Sequence, residues 1–114
     1  MVRTVLLLML ACGLAGCKHV PPPTPLSELN AQQMHGHDLF RTHCAVCHSD
    51  RTDAALHGPP LLGVFKKESL PSGAPANDER VTATILHGHG LMPAAGGTMD
   101  DQDLADLLAY LHTL

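Results

Sequence analysis

Large rings are nearly missing from this sequence: its 114 residues include no tryptophan, one tyrosine and two phenylalanines. A chain of this length has room for one domain at most. A domain so small is marginal without a few large side chains at its centre. A bulky bound group would supply that volume, although a Leu- and Ala-rich helical bundle could also do without rings. Basic residues are scarce too, 7 Lys and Arg against 11 Asp and Glu, for a net charge of −4. This balance argues against nucleic acid, whose phosphates demand a basic face. The apolar run from Val5 to Ala11 is too short to cross a bilayer as a permanent helix.

Cysteine is limited to Cys12, Cys17, Cys44 and Cys47, and the last two fall in Cys44-Ala45-Val46-Cys47-His48. Two thiols three residues apart can each add to one vinyl group of a porphyrin, and the histidine that follows is then carried under the iron. A thioredoxin-like redox pair or half of a zinc site shares the CxxC spacing. A redox pair should open a helix within a βαβ pattern, and a zinc site needs a second ligand pair at regular spacing. Cys12 and Cys17 do not supply one. The motif therefore predicts covalent haem c on Cys44 and Cys47, with His48 on the iron.

The flanking pattern is longer. Gly36-x-x-x-Phe40-x-x-x-Cys44-x-x-Cys47-His48 resembles the first helix and haem motif of the class I c-type cytochromes, and Leu107-x-x-Tyr110 is similar to their packing partner in the last helix. The resemblance covers residues 30–114. It implies an all-α fold of three to four helices wrapped around one covalently bound haem, the terminal helices crossing at the glycine. Gly58-Pro59-Pro60-Leu61 is similar to the family's GPxL segment, which implies that the Pro59 carbonyl accepts a hydrogen bond from His48. A ligating imidazole needs such a partner to fix its ring. By itself Gly-Pro-Pro is also an ordinary turn signal.

Capping and periodicity place the helices. Asn30 can cap a first helix running to about His43, with Gln33 completing a capping box and Leu29 stapling to Met34. Gly36 inside it costs about 1 kcal/mol relative to alanine, which suggests that another backbone approaches there. A middle helix should start at Asn77 or Asp78 and end at Gly88, with Val81 and Ile85 on one face. The last, Asp101 to about Thr113, carries Leu104, Leu107, Leu108 and Leu111 at amphipathic spacing. Asp100 is its expected cap, and Met99 is its staple against Leu104.

The second axial ligand is sought in His89-Gly90-Leu91-Met92-Pro93. Met92 before a proline is similar to the family's Met-Pro. His87 and His89 are chemical rivals, since imidazole binds iron as readily as thioether does. The other histidines, among them His35, His37 and His112, are expected to be exposed polar residues.

At the start, Arg3 precedes the apolar run and Leu14-Ala15-Gly16-Cys17 follows it, a charged region, an apolar region and then small residues. The ending resembles the lipobox of bacterial lipoproteins. That resemblance implies a signal peptide at 1–16, lipid on Cys17, and a lipid anchor with a proline-rich tether at 17–29 ahead of the cytochrome domain at 30–114. Loss of Arg3 leaves six basic against eleven acidic residues, a net charge of −5. Polyproline II over residues 18–25 would form a spacer of about 25 Å at roughly 3.1 Å per residue. Lys18 rather than aspartate after the cysteine tilts the expectation towards an outer membrane.

These features together predict a monomeric, membrane-tethered periplasmic electron carrier with His48 and Met92 as axial ligands, redox proteins as partners, and no catalytic group. The alternatives are an electron-entry module of a larger oxidase or dehydrogenase, and a ligand-binding or peroxidatic haem protein with a labile sixth ligand.

Overall fold

The computed structural model describes residues 19–114; the expected signal peptide at 1–16, Cys17 and Lys18 lie outside the described residues. Three α-helices carry the domain: α1 (Ala31–His43), α2 (Asp78–His87) and α3 (Asp101–Leu111), with short 3-10 turns at Leu26–Glu28 and Val64–Lys66. Among the described residues there is no strand, only isolated bridges at Ser69–Pro75 and His89–Met92.

Each helix starts where its cap residues place it. Asn30 and Gln33 form a reciprocal capping box, the Asn30 side chain accepting from the Gln33 amide at 2.8 Å and the Gln33 side chain from the Asn30 amide at 3.0 Å. Asp100 and Asp103 do the same for α3. Asn77 caps α2 by accepting from the Arg80 amide at 2.9 Å, and Gly88 ends that helix at φ +76°. These bonds satisfy backbone groups that a helix end leaves without partners. At the start of α1, Leu29 packs against the core while Met34 stays at the surface. The last helix stops at Leu111 rather than Thr113, because the amides of Thr113 and Leu114 turn back to the carbonyls of Tyr110 and Leu111. That tighter turn buries the side chains of Thr113 and Leu114.

The first and last helices cross at Gly36. A Cβ there would press on the Asp106 carbonyl, 2.6 Å from its carbon and 2.8 Å from Tyr110 Cβ. Only glycine permits so close an approach of two backbones. Around the crossing lie Phe40, Leu107, Tyr110, Leu111 and Leu114, joined by Val64, Val81 and Ile85 into one core. The Phe40 and Tyr110 rings meet at 6.0 Å, tilted by 53°, so two of the three rings in the chain sit at this junction.

Of the histidines expected to be exposed polar residues, His19, His35, His43, His57 and His112 are exposed, and His37 is the exception. His37 is largely buried and packs on Tyr110 at 5.1 Å, because its position on α1 faces α3. His35 donates from Nδ1 to the buried Asp106 at 2.8 Å. His112 stacks on Phe65 at 3.9 Å and donates to Asp78 at 2.7 Å.

Residues 19–25 form neither helix nor strand, as four prolines dictate, yet they do not stand clear of the domain. Val20 seats its side chain over Gly63, whose φ of +66° and missing Cβ make the space. Further along, the Thr24 amide donates to the Thr113 carbonyl and the Thr24 carbonyl accepts from Arg51 Nη2, both at 2.8 Å. Pro25 then opens the 3-10 turn that delivers Leu29 to the core.

Candidate haem site

The Cys44–His48 motif is an extension of α1. Cys44 occupies its C-terminal cap, and the amides of Cys44 and Ala45 both reach the Phe40 carbonyl, at 2.8 and 3.0 Å. The chain then tightens so that the Cys47 and His48 amides both donate to the Cys44 carbonyl, at 3.0 and 2.9 Å. One turn thus carries two partly buried free thiols and an imidazole.

A second segment is zipped to this turn. The Gly58 amide donates to the Cys47 carbonyl at 2.7 Å and the Leu61 amide to the Ser49 carbonyl at 2.8 Å. Between these two bonds, His48 Nδ1 lies 2.7 Å from the Pro59 carbonyl oxygen. A carbonyl can only accept, so Nδ1 carries the proton and Nε2 keeps its lone pair for a metal. Gly58 lies against the same ring: a Cβ there would come within 2.5 Å of His48 Cε1 and 2.8 Å of Nδ1. This contact was not anticipated from sequence, where Gly58 reads as a turn residue. The one available signal is that a ring held by a neighbouring carbonyl needs the preceding residue to be small.

Burial, and then the neighbouring Cys47, push the Cys44 thiol up to about 11. The reactive cysteine of a redox pair is held the other way, towards thiolate. Among the described residues no three His, Cys, Asp or Glu side chains are grouped to hold a metal ion. The donor set therefore suits thioether attachment with one imidazole on the iron better than disulfide exchange or zinc.

Met92 comes from a different part of the chain. The His89 amide donates to the Met92 carbonyl at 3.1 Å and the Met92 amide to the His89 carbonyl at 2.9 Å, closing a tight turn with Gly90 at φ +56°. The turn is fastened to the end of α2: the Ala95 amide donates to the Ile85 carbonyl at 2.8 Å, and Gly88 leaves room for the Met92 carbonyl. Met92 is half-buried against the same core that receives Cys44, whereas His87 and His89 are exposed. Leu61, Phe65, Met99, Leu104 and Leu108 add apolar surface at the margin of that core. The residues present fit a porphyrin held by two thiols and one imidazole.

Behind the motif, Tyr110 donates to Asp50 at 2.5 Å. Burial first, and this bond second, push the Tyr110 hydroxyl well above its usual range, so it stays protonated and keeps the bond at ordinary pH. Asp50 and Arg51 thus join the haem motif to α3 and, through Thr24, to the proline segment, a link with no sequence signature.

The fold is shared with the solved structure of cytochrome c6 from the diatom Phaeodactylum tricornutum, at a TM-score of 0.56 and 22% identity over 69% of this chain and 88% of that one. In sequence, cytochrome c6 of Tetradesmus obliquus is 31% identical over 77 residues, 68% of this chain and 84% of the relative. Cytochrome c6 of Picosynechococcus is 32% identical over 79 residues, 67% and 68% of the respective chains. Fold and site together define a class I c-type cytochrome with a single haem. Residues 31–111 match the family described as cytochrome c oxidase, cbb3-type, subunit III; the chain belongs to that family, and its cofactor is one covalently bound haem c.

Proposed function

We propose that this protein is a lipid-anchored periplasmic cytochrome that passes single electrons between respiratory partners, with haem on Cys44 and Cys47, axial ligands His48 and Met92, and acyl chains on Cys17. Haem-based electron transfer follows from the family. When bound, the haem supplies one-electron chemistry through its iron. The chain's part is to hold the ligands and exclude water.

The observation that carries the ligand set is the Nδ1 bond of His48 to Pro59, which leaves Nε2 available on a turn fixed by four backbone hydrogen bonds. On the other side, Met92 is the half-buried member of its segment and its turn is pinned at both ends. A soft thioether favours ferrous iron and raises the potential. With His48 and Met92 both holding the iron, no site would be left for a substrate, and the group would supply electron transfer alone. The net charge of −5 after loss of Arg3 suits encounters with basic partner surfaces. The protein acts as a monomeric carrier rather than an enzyme, bound to the outer membrane in preference to the inner one.

The family description, an oxidase subunit, favours a second reading in which the same domain is the electron-entry module of a larger complex. Co-purification with one membrane complex in fixed ratio distinguishes it from a separate carrier.

The test of the ligand set is the spectrum of the ferric holoprotein. Iron–methionine ligation gives a weak far-red band. Met92→Ala should abolish that band, open the ferrous form to carbon monoxide, and lower the midpoint potential by a fraction of the roughly 0.8 V that axial ligands span. A band that survives in Met92→Ala places the ligand elsewhere. A wild-type protein without the band that binds carbon monoxide readily would be a ligand-binding haem protein instead.

A further inference from the structure

The proline segment is docked on the domain, and this changes what an anchor at Cys17 would do. It is attached at three places: Val20 over Gly63, the Thr24 amide on Thr113, and the Thr24 carbonyl on Arg51. Prolines at 21, 22 and 23 stiffen the stretch between these contacts. The segment is therefore a fixed part of the domain from Val20 onward. It leaves the domain at His19, beside a recess of about 490 Å³ lined by Val20, Thr52, Asp53, Pro60, Leu62 and Lys67.

After the proposed cleavage before Cys17, two residues, Cys17 and Lys18, would precede His19. Fully extended, they reach about 7 Å, at roughly 3.3–3.6 Å per residue. We propose that the face around Val20, Pro60, Leu62 and Lys67 is a membrane-facing surface, held against the lipid headgroups by a leash too short to let the domain turn over. The proposal rests on the acylation of Cys17 put forward above. Lys67 and Asp53 set one charge of each sign on this face, so reach rather than charge holds it there. Pro60, in the lining of the recess, directly follows Pro59, whose carbonyl receives His48. An undocked segment would instead leave a spacer of some 25 Å, at roughly 3.1 Å per residue, and free rotation.

The experiment uses full-length holoprotein, made with its lipoprotein leader and reconstituted into vesicles of phosphatidylethanolamine and phosphatidylglycerol. Single cysteines are placed at Thr52→Cys, in the recess, and at Asp101→Cys, at the start of α3. Asp101 lines no part of the recess and opens α3, beyond whose other end the Thr113 carbonyl is bonded to the Thr24 amide of the proline segment. Labelling by a bulky maleimide is compared with that of a variant carrying ten Gly and Ser residues inserted between Lys18 and His19. At position 52 the insertion should speed labelling several-fold, and at position 101 it should leave the rate unchanged. The Thr24 amide should exchange slowly with deuterium in both proteins.

Equal rates at position 52 with and without the insertion, or free exchange at Thr24, overturn the proposal. The mass of the N-terminal peptide separates the two readings. Acyl chains present with equal rates sink the oriented surface alone, whereas absence of acyl chains sinks the anchor and the surface together.

Discussion

The crossing of the first and last helices predicts what a single methyl group does there. In Gly36→Ala the new Cβ lies 2.6 Å from the carbonyl carbon of Asp106 and 2.8 Å from Tyr110 Cβ, where ordinary contact begins at 3.4 Å. The helices must separate by at least about 0.8 Å, and neither obstacle is a flexible side-chain tip. Overpacking of this kind costs about 1–3 kcal/mol, and a clash with backbone belongs at the upper end. Helix propensity works the other way, since alanine gains about 1 kcal/mol over glycine in a helix interior. The net expectation is a loss of about 2 kcal/mol. For a domain of this size that lowers the melting temperature by about 8–16 °C, at roughly 4–8 °C per kcal/mol. The assay is thermal unfolding of the holoprotein followed by far-ultraviolet circular dichroism, with Gly97→Ala as control. Gly97 has nothing within 4 Å of a built Cβ, so its variant should melt with the wild type. The reasoning fails if Gly36→Ala melts at or above the wild-type temperature, or if both variants fall equally.

Two further outcomes follow from the site and its surroundings. Gly58→Ala should push the His48 ring by about 0.9 Å, from 2.5 to 3.4 Å at Cε1, and so shift the ferric spectrum and midpoint potential while leaving the covalent haem content unchanged; an unaltered spectrum and potential would show that the ring is not held there. His35 and Asp106 make stability depend on pH. Its hydrogen bond to Asp106 raises the His35 pKa above 6.5, and the same bond, joined by Gln102, lowers that of Asp106 below 3.8, with Asp103 and Asp38 adding attraction for the imidazolium. The charged pair's contribution is complete from 3.8 to 6.5, and is lost as pH rises through the raised His35 value or falls through the lowered Asp106 value. The melting-temperature gap between wild type and His35→Gln should thus be widest in mildly acidic buffer and close towards alkaline pH. A gap that widens with pH would contradict the assignment.

What could be seen in the sequence was what is encoded locally. Asn30 with Gln33, Asn77, and Asp100 with Asp103 set the helix starts, because a cap needs only three or four neighbouring residues. Gly36 stood out as a helix residue with a propensity cost and no local benefit, and the close approach it implied is the crossing itself. The turn of Cys44–His48 was legible through motif spacing; Met92 was favoured over His87 and His89 for the proline that follows it, and it is the half-buried one of the three. Pairings between distant positions were not. His35 with Asp106, Tyr110 with Asp50, and Thr24 with both Thr113 and Arg51 are ordinary polar residues until the fold brings them together. The proline run was the plainest case. Its backbone conformation followed from composition, but whether it projects or docks depends on Gly63, some forty residues away, having no side chain.

The helix crossing also bears on what a broken chain can do. The two interlocked helices belong to opposite ends of the domain, with residues 44–100 strung between them as one closed loop. A cut within the loop at 66–76 leaves each piece holding one half of the clasp: Gly36, Phe40 and the pigment on one, Leu107 and Tyr110 on the other. Fragments made this way have a ready means of finding each other again, so a nicked cytochrome can keep its colour and its outline long after its backbone has ceased to be continuous.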